Sequence, residues 1–175
     1  MQEYVYIYRS RTEWLMIDLI ITKLMDGEDE GIMVELELEE LFTVHVKIER
    51  TIELKNTDGE SVVMIMFGGH VTGTCFEGTV REGGVDTQVI GKEGGRHSLS
   101  ARYMLQGQDY TGQPCEIYIE NNGYIGETKG NRLFRTSPRI ITNSKALSYL
   151  NTEALIGEGC PAAEGISIHI FKVKS

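Results

Sequence analysis

The chain has 175 residues, of which 41% are hydrophobic and 25% charged, a balance that excludes a disordered or fibrous protein and favours one globular domain. Its formal net charge of −9, without any run of Lys or Arg, argues against nucleic acid as a partner. The sequence has no apolar stretch long enough for a transmembrane helix and no signal-peptide pattern, so we expect a cytoplasmic protein without a membrane partner.

The first 32 residues differ in character from the rest and end in an acidic, glycine-containing run. Ser10 and Glu13 fit a capping box that would start a helix running to about Met25. The β-branched stretch from Ile20 to Thr22 is also compatible with a strand, which remains the alternative. We therefore predict an N-terminal appendage over residues 1–32, helical in the main, and a separate domain over residues 33–175. An alternative is that Met33 is the natural start.

Beyond Glu35 the pattern is that of short β-strands. Phe42, Val44, Val46 and Ile48 alternate with polar residues, which predicts a half-buried strand with these four on one face. Ser61 to Phe67 is apolar on both faces, so we expect cover on both sides. Further strands are predicted at Thr74–Arg81, Val85–Ile90, Ser98–Gln106, Cys115–Asn121, Arg132–Thr142, Glu153–Gly157 and Ile166–Val173.

Glycine-rich turns separate these strands, and we expect hairpin connections rather than crossover helices. The turn signals are Thr57-Asp-Gly59, Glu82-Gly-Gly84, Lys92-Glu-Gly-Gly95, Asn121-Asn-Gly123 and Cys160-Pro-Ala-Ala-Glu-Gly165. Only Ser144 to Leu150 has the pattern of a helix here, with Asn143 as its cap. The prediction is an all-β fold of about 8–9 antiparallel strands, closed or nearly closed into a barrel, because closure hides strand edges better than a two-sheet sandwich does.

The segment Gly94-Gly-Arg-His-Ser-Leu-Ser-Ala-Arg-Tyr103 resembles a family of small proteins called domain of unknown function 3237, or uncharacterised protein family 0311. Further similarity lies in Gly68-Gly69 with Gly73, Phe76-Glu-Gly78, Gly83-Gly-Val-Asp86, Ile119-Glu-Asn-Asn-Gly123, Phe134-Arg-Thr-Ser-Pro-Arg139, Tyr149-Leu-Asn151 and Gly157-x-Gly159. The likeness runs from about Glu35 to Val173, although Thr87 stands where the family commonly has an aromatic residue. The resemblance implies a lipocalin-like (calycin-like) barrel and no agreed activity.

Four residues within this stretch are candidates for ligand binding. Arg135 flanks Pro138 in a strand and could hold an anionic oxygen in the barrel mouth, or could instead form a structural ion pair, as we expect for Arg139. Asp86 is a candidate general base, because burial in an apolar barrel would raise the pKa of its carboxyl group, and it is equally an ordinary turn residue.

Tyr103 and Arg102 are neighbours on one strand and must point to opposite faces, and we place Tyr103 inside with Leu99 and Leu105. Its hydroxyl would then be a donor or weak acid in the interior. Asn121 could contact the ligand or could only shape the predicted Asn-Gly turn.

Metal and cofactor sites are not indicated. The four histidines, His45, His70, His97 and His169, have no metal-ligand spacing, and the three cysteines, Cys75, Cys115 and Cys160, form no CxxC motif and are expected as free thiols. No nucleotide-binding glycine motif or nucleophile elbow is present, so we expect no cofactor.

Three classes of function are compatible with this pattern. The leading hypothesis is a barrel that binds a small, partly apolar organic molecule, and a homo-oligomer is compatible with it. The second is a cofactor-independent isomerase or cyclase acting on a small anionic or phenolic substrate, with Asp86 or Tyr103 as the catalytic residue and Arg135 holding an oxygen. The third is a structural protein whose barrel is filled with side chains.

Overall fold

In a computed structural model of the protein, the described residues form ten strands and one short 3-10 helix. The structure describes the backbone of residues 2–6, 33–92, 95–126 and 131–174, and the side chains of these ranges from residue 37 onward. The strands are β1 (Gln2–Tyr6), β2 (Met33–Leu54), β3 (Ser61–Gly73), β4 (Phe76–Val80), β5 (Val85–Ile90), β6 (His97–Asp109), β7 (Pro114–Ile125), β8 (Phe134–Thr142), β9 (Leu155–Ala162) and β10 (Gly165–Val173). The 3-10 helix spans Ser148–Asn151.

Two compact units divide the chain. The smaller consists of Met1–Glu39 and Val173–Ser175, and the larger of Glu40–Lys172. In the smaller unit β1 pairs antiparallel with the first residues of β2, and Lys174 Nζ lies 2.6 Å from Glu37 Oε1. The helix predicted between Ser10 and Met25 lies outside the described residues.

In the larger unit the sheet closes on itself, which confirms the predicted all-β antiparallel barrel. Strand β2 pairs with β3 on one side and with β10 on the other. Both β4 and β5 lie between β3 and β6, each along a different part of those longer strands, and β7, β8 and β9 complete the ring. The ring is less regular between β8 and β9, which pair only through Phe134–Thr136 and Gly157–Gly159.

The core lies inside the ring, and β6 shows most clearly how alternate residues of a strand contribute to it. On β6 the buried apolar positions are Leu99, Ala101, Tyr103 and Leu105, and their neighbours Arg102 and Met104 are exposed. This is the period of two expected for a strand with one face in the core. The inward placement of Tyr103 predicted from the sequence is therefore correct.

One end of the barrel is covered by the segment that contains the 3-10 helix. Leu147 and Leu150 from this segment are buried in the same core, and Ser144, near the end of β8, bonds to Asp109 at the end of β6. The helix predicted from Ser144 to Leu150 is only partly correct, because the structure has a four-residue 3-10 helix from Ser148 to Asn151. Asn143 does not cap it: the Asn143 side chain accepts the N–H of Glu116, and Ser144 Oγ accepts the N–H of Leu147.

Phe42, Val44, Val46 and Ile48 pair with β3 in one unbroken register, as the alternation predicted, and the register shifts only after Ile48. Ile48 itself is 49% exposed. One local prediction on the strands was wrong. The segment Asn121-Asn-Gly123 is no turn, since β7 continues through it to Ile125 and pairs with β6 and β8.

No helix in the described part of the chain is long and apolar enough to span a membrane.

Candidate functional site

Polar side chains line the inside of the barrel at the end opposite the 3-10 helix, where β6 and β8 begin. Residues directly opposite one another on neighbouring strands share a face. Asp86 lies opposite Ala101, and Ala101 lies opposite Asn121. Since Ala101 is buried in the core, all three positions face inward, and the small Ala101 side chain separates the two polar ones.

The adjacent inward row adds a second set of polar groups. Gln88 lies opposite Leu99, and Thr136 lies opposite both Gly123 and Gly157. We call Asp86, Gln88, His97, Tyr103, Asn121 and Thr136 the inner polar cluster.

A hydrogen-bonded chain runs along the half-buried side of this cluster. Gln88 Nε2 donates to Asp86 Oδ2 at 2.8 Å, and His97 Nε2 lies 2.9 Å from Gln88 Oε1. An ionised carboxylate only accepts, so the amide nitrogen of Gln88 faces Asp86, and its oxygen must accept a proton carried on His97 Nε2. The backbone N–H of Ser100 donates to Asp86 Oδ1 at 3.1 Å. These contacts fix the orientation of the Asp86 carboxylate.

The buried side of the cluster has a different character. Tyr103 Oη, Asn121 Oδ1 and Thr136 Oγ1 are buried and have no hydrogen-bond partner in the described part of the chain. Most buried polar groups in proteins are paired, and each one left unpaired costs about 1–3 kcal/mol. These three atoms belong to inward-facing residues of the consecutive strands β6, β7 and β8. Each of them could form a hydrogen bond with a molecule bound inside the barrel.

Tyr103 supplies a neutral hydroxyl to this interior. Burial raises the pKa of its phenol well above the usual value, so the group stays protonated across the physiological range. Its ring packs edge-on against Phe67, with the ring centroids 5.3 Å apart, which fixes the direction of the hydroxyl. The role open to it is that of a hydrogen-bond donor rather than an anionic base.

Thr136 is one of three members of the cluster, with Gln88 and His97, that the sequence analysis did not identify as site residues. A Cβ atom built on Gly157 would lie 2.2 Å from Thr136 Oγ1 and 3.4 Å from Asn121 Nδ2, so glycine at 157 leaves the space that the Thr136 hydroxyl occupies. The pattern Phe134-Arg-Thr-Ser-Pro-Arg139 carried a usable signal. With Pro138 inside, Thr136 two residues earlier had to face inward as well.

The structure places Arg135 on the outward face of β8, between the inward-facing Phe134 and Thr136. Its guanidinium contacts Glu158 Oε1, with Nε at 2.8 Å, and Arg132 Nη1 reaches the same oxygen at 2.8 Å. This is the ion-pair arrangement that the sequence left open as the alternative. Arg135 is therefore not a member of the inner polar cluster.

Arg139 also lies outside, with its side chain 63% exposed and 3.8 Å from Glu120 Oε2. Arg102 bonds to the same Glu120 at 2.9 Å. Within β5 to β9 the strand positions that hold Lys or Arg are these outward ones, at residues 102, 135 and 139.

Two of the remaining histidines stack on the outside of the barrel. His45 and His70 lie opposite each other on β2 and β3, with ring centroids 4.4 Å apart. Among the residues that the structure describes, no three His, Cys, Asp or Glu side chains are arranged to hold a metal ion.

Comparison with known proteins finds that this chain is similar to proteins of unknown function. The model of a family described as "Protein of unknown function (DUF3237)" matches residues 36–173. A UPF0311 protein of Clostridium acetobutylicum is 27% identical over 155 residues, which are 79% of this chain and 95% of that protein.

Solved structures share the fold. A β-barrel-like protein from Acinetobacter baumannii has a TM-score of 0.66 at 21% identity and covers 79% of this chain and 96% of its own. An enzyme from Penicillium herquei has a TM-score of 0.63 at 19% identity, with 85% of this chain and 99% of its own covered. At these identities the likeness concerns the fold.

Proposed function

The chain belongs to the DUF3237 family of proteins of unknown function, and from its inner polar cluster we propose that its barrel binds a small, partly apolar organic molecule. Barrels of about eight strands have room inside for side chains or for one small ligand. The observation that carries the proposal is the set of buried, unpaired atoms Tyr103 Oη, Asn121 Oδ1 and Thr136 Oγ1. A ligand that bonds to them recovers hydrogen bonds that the protein alone leaves unmade.

The polar and apolar side chains around the unpaired atoms indicate what kind of ligand would fit. Around the polar atoms lie the apolar side chains of Phe67, Leu99 and Ala101, so a bound molecule would place an apolar body against them and a few polar groups against the cluster. Since the three unpaired atoms are enclosed, a ligand that reaches them displaces neighbouring side chains. The half-buried Asp86, Gln88 and His97 mark the side from which it enters.

Binding can be tested with two variants that differ in the face they alter. Asn121→Leu replaces the inward amide by an apolar group of similar volume, and Arg139→Ala removes an exposed, outward side chain. Native mass spectrometry of protein purified from its own host identifies the co-purifying molecule, and calorimetry then measures its affinity for each variant. We expect a loss of tenfold or more for Asn121→Leu and no change for Arg139→Ala. Equal affinities would contradict the proposal.

A second candidate, a cofactor-independent isomerase or cyclase acting on a small organic substrate, is supported by the His97–Gln88–Asp86 chain. A general base must be oriented toward the proton it accepts, and Gln88 and the Ser100 N–H hold the Asp86 carboxylate in one orientation. Tyr103 would donate a hydrogen bond to the oxygen on which charge develops. The enzyme from Penicillium herquei has the same fold and is compatible with this alternative.

The variant Asp86→Asn distinguishes a catalytic function from a binding function. The amide keeps the shape of the carboxylate but cannot accept a proton at neutral pH. Turnover of the co-purified molecule that falls a hundredfold or more, with retained affinity, would identify an enzyme. Absence of any conversion by the natural protein would leave the binding function alone.

A further inference from the structure

The inner polar cluster contains hydrogen-bond acceptors and one formal negative charge. Together they determine which ligand charges and hydrogen-bonding groups the barrel can accept. Asp86 contributes a carboxylate, and Asn121 contributes an amide oxygen that has no partner. Each oxygen of the Asp86 carboxylate accepts one hydrogen bond from the described residues, whereas a carboxylate has about four acceptor positions in all. Acceptor capacity therefore remains on both side chains.

No Lys or Arg side chain of strands β5 to β9 points into this space. In β5 to β9 the strand residues Arg102, Arg135 and Arg139 point outward, and their contacts are with Glu120 and Glu158. Anion recognition in proteins relies on Arg, Lys or clustered backbone N–H groups. This part of the interior offers a carboxylate instead.

We infer that the ligand of the barrel is neutral or cationic and presents hydroxyl or amine hydrogens to Asp86 and Asn121, and that molecules with a carboxylate or phosphate at this position are rejected. The inference rests on the proposed binding function and names the class of its ligand. Like charges in a poorly hydrated interior repel strongly, and an unpaired acceptor facing another acceptor adds a desolvation cost. A donor meets neither penalty.

The neutral hydroxyl groups in the cluster complete the selection. Tyr103 and Thr136 can each donate or accept, so they tolerate both acceptor and donor atoms of a ligand. The charged Asp86 tolerates donors only, and Asn121 offers an unpaired Oδ1 to a donor. Selectivity against anions consequently comes from Asp86, and the other polar groups adapt to whichever ligand is held.

The test uses three probes of similar ring size and different charge: benzyl alcohol, benzylamine as its cation, and benzoate. Binding is followed at pH 8 by the methyl resonances of Ala101 and Thr136, which lie inside the barrel, in the full chain. We expect benzyl alcohol and benzylamine to shift these resonances with affinities at least tenfold higher than that of benzoate. This ranking in the natural protein requires no variant.

Asp86→Asn tests the origin of the ranking, and Glu120→Gln is its matched control, because it removes a carboxylate from the outward face of β7. We expect Asp86→Asn to reduce the preference for benzylamine over benzoate at least tenfold and Glu120→Gln to leave it unchanged. Benzoate binding as tightly as the other probes would overturn the inferred ligand class and leave the proposed binding function standing. If none of the probes shifts the inner methyl resonances, both are overturned.

Discussion

Ser144 Oγ donates a hydrogen bond to Asp109 Oδ2 at 2.6 Å, and this contact joins the end of β6 to the segment that covers one end of the barrel. The other carboxylate oxygen accepts from the backbone N–H of Thr111 at 2.9 Å, from the Thr111 hydroxyl, and from the N–H of Gln113. Asp109 thus organises the β6–β7 turn and the approach to the 3-10 helix together.

We predict that this carboxylate makes stability depend on acid pH. Its hydrogen bonds, with that from Ser144 the largest influence, lower the pKa of Asp109 to about 2, below the usual value of about 4 for an unfolded chain. Ionised Asp109 therefore contributes stability above pH of about 4, and the contribution is lost as pH falls through about 2. Thermal unfolding followed by circular dichroism between pH 7 and pH 2 checks this.

The matched variants are Asp109→Asn and Asp58→Asn, since Asp58 is an exposed residue of the β2–β3 turn. Asp109→Asn should lower Tm by several degrees at pH 7 and flatten the acid limb of the profile. Asp58→Asn should do neither. Identical profiles for Asp109→Asn and the natural protein would contradict the assigned role.

A second prediction concerns the cost of the unpaired hydroxyl of Thr136. Thr136→Val removes a buried polar atom that has no partner in the described structure, and we expect the free energy of unfolding to rise by about 1 kcal/mol. Thr43→Val is the control, because the Thr43 hydroxyl donates to Glu40 Oε1 at 2.6 Å and its loss should destabilise by about 1 kcal/mol. Urea unfolding measures both.

The same Thr136→Val change should weaken ligand binding if the inner polar cluster binds a ligand. A gain in stability with a loss of affinity is the expected signature of a functional polar group in a core. Destabilisation by Thr136→Val would show instead that the hydroxyl is part of the folded framework.

The sequence predicts the strands better than it predicts the direction of the site residues. The predicted limits of β5, Val85 and Ile90, are correct. They follow from the Gly-Gly turns on either side, and such turns are recognised from the local sequence alone. The direction of Arg135 depends on the parity of β8 relative to the core, and a shift by one residue reverses every side chain. The Asn-Gly signal at Asn121 failed for a related reason. Partners on both sides extend β7 through a dipeptide that elsewhere favours a turn.

The third prediction tests the close approach at Gly157. Gly157→Ala would place a methyl group 2.2 Å from Thr136 Oγ1, and overpacking of this kind typically costs about 1–3 kcal/mol. Gly126→Ala is the control, since a Cβ there meets nothing within 4 Å. The double variant Gly157→Ala with Thr136→Ala should recover part of the loss, and strict additivity in urea unfolding would show that the two positions are not coupled.

The fourth prediction is that His45, which stacks on His70, makes stability fall as the solution becomes mildly acidic. Burial, and then the charges of His70 and His169, lower the pKa of His45 below its usual value of 6.5. The unfolded chain then binds more protons than the native one just below that pH, so stability falls as pH drops from about 6.5. His169 in turn lies 2.9 Å from Glu40 Oε1.

Chemical unfolding at pH 7.5 and pH 5.5 measures this loss, and His45→Asn should make it smaller. Thr72→Val serves as the control, because it removes the partner of His45 Nε2 at 2.8 Å without removing a titrating group. An unchanged difference between the two pH values in His45→Asn would assign the pH dependence to other residues.

The last prediction concerns a chain that begins at Met33. The larger unit, Glu40–Lys172, holds its own core, in which Phe42, Val44 and Ile170 are fully buried, and the strand ring closes with residues of that unit. We therefore expect the shortened chain to be soluble and to unfold cooperatively, with a modest loss of stability relative to the full chain. Its only tryptophan, Trp14, is removed, so the measurement is near-ultraviolet circular dichroism of the tyrosines together with thermal unfolding. An insoluble chain, or one without a tyrosine signal, would show that residues 1–32 complete the core.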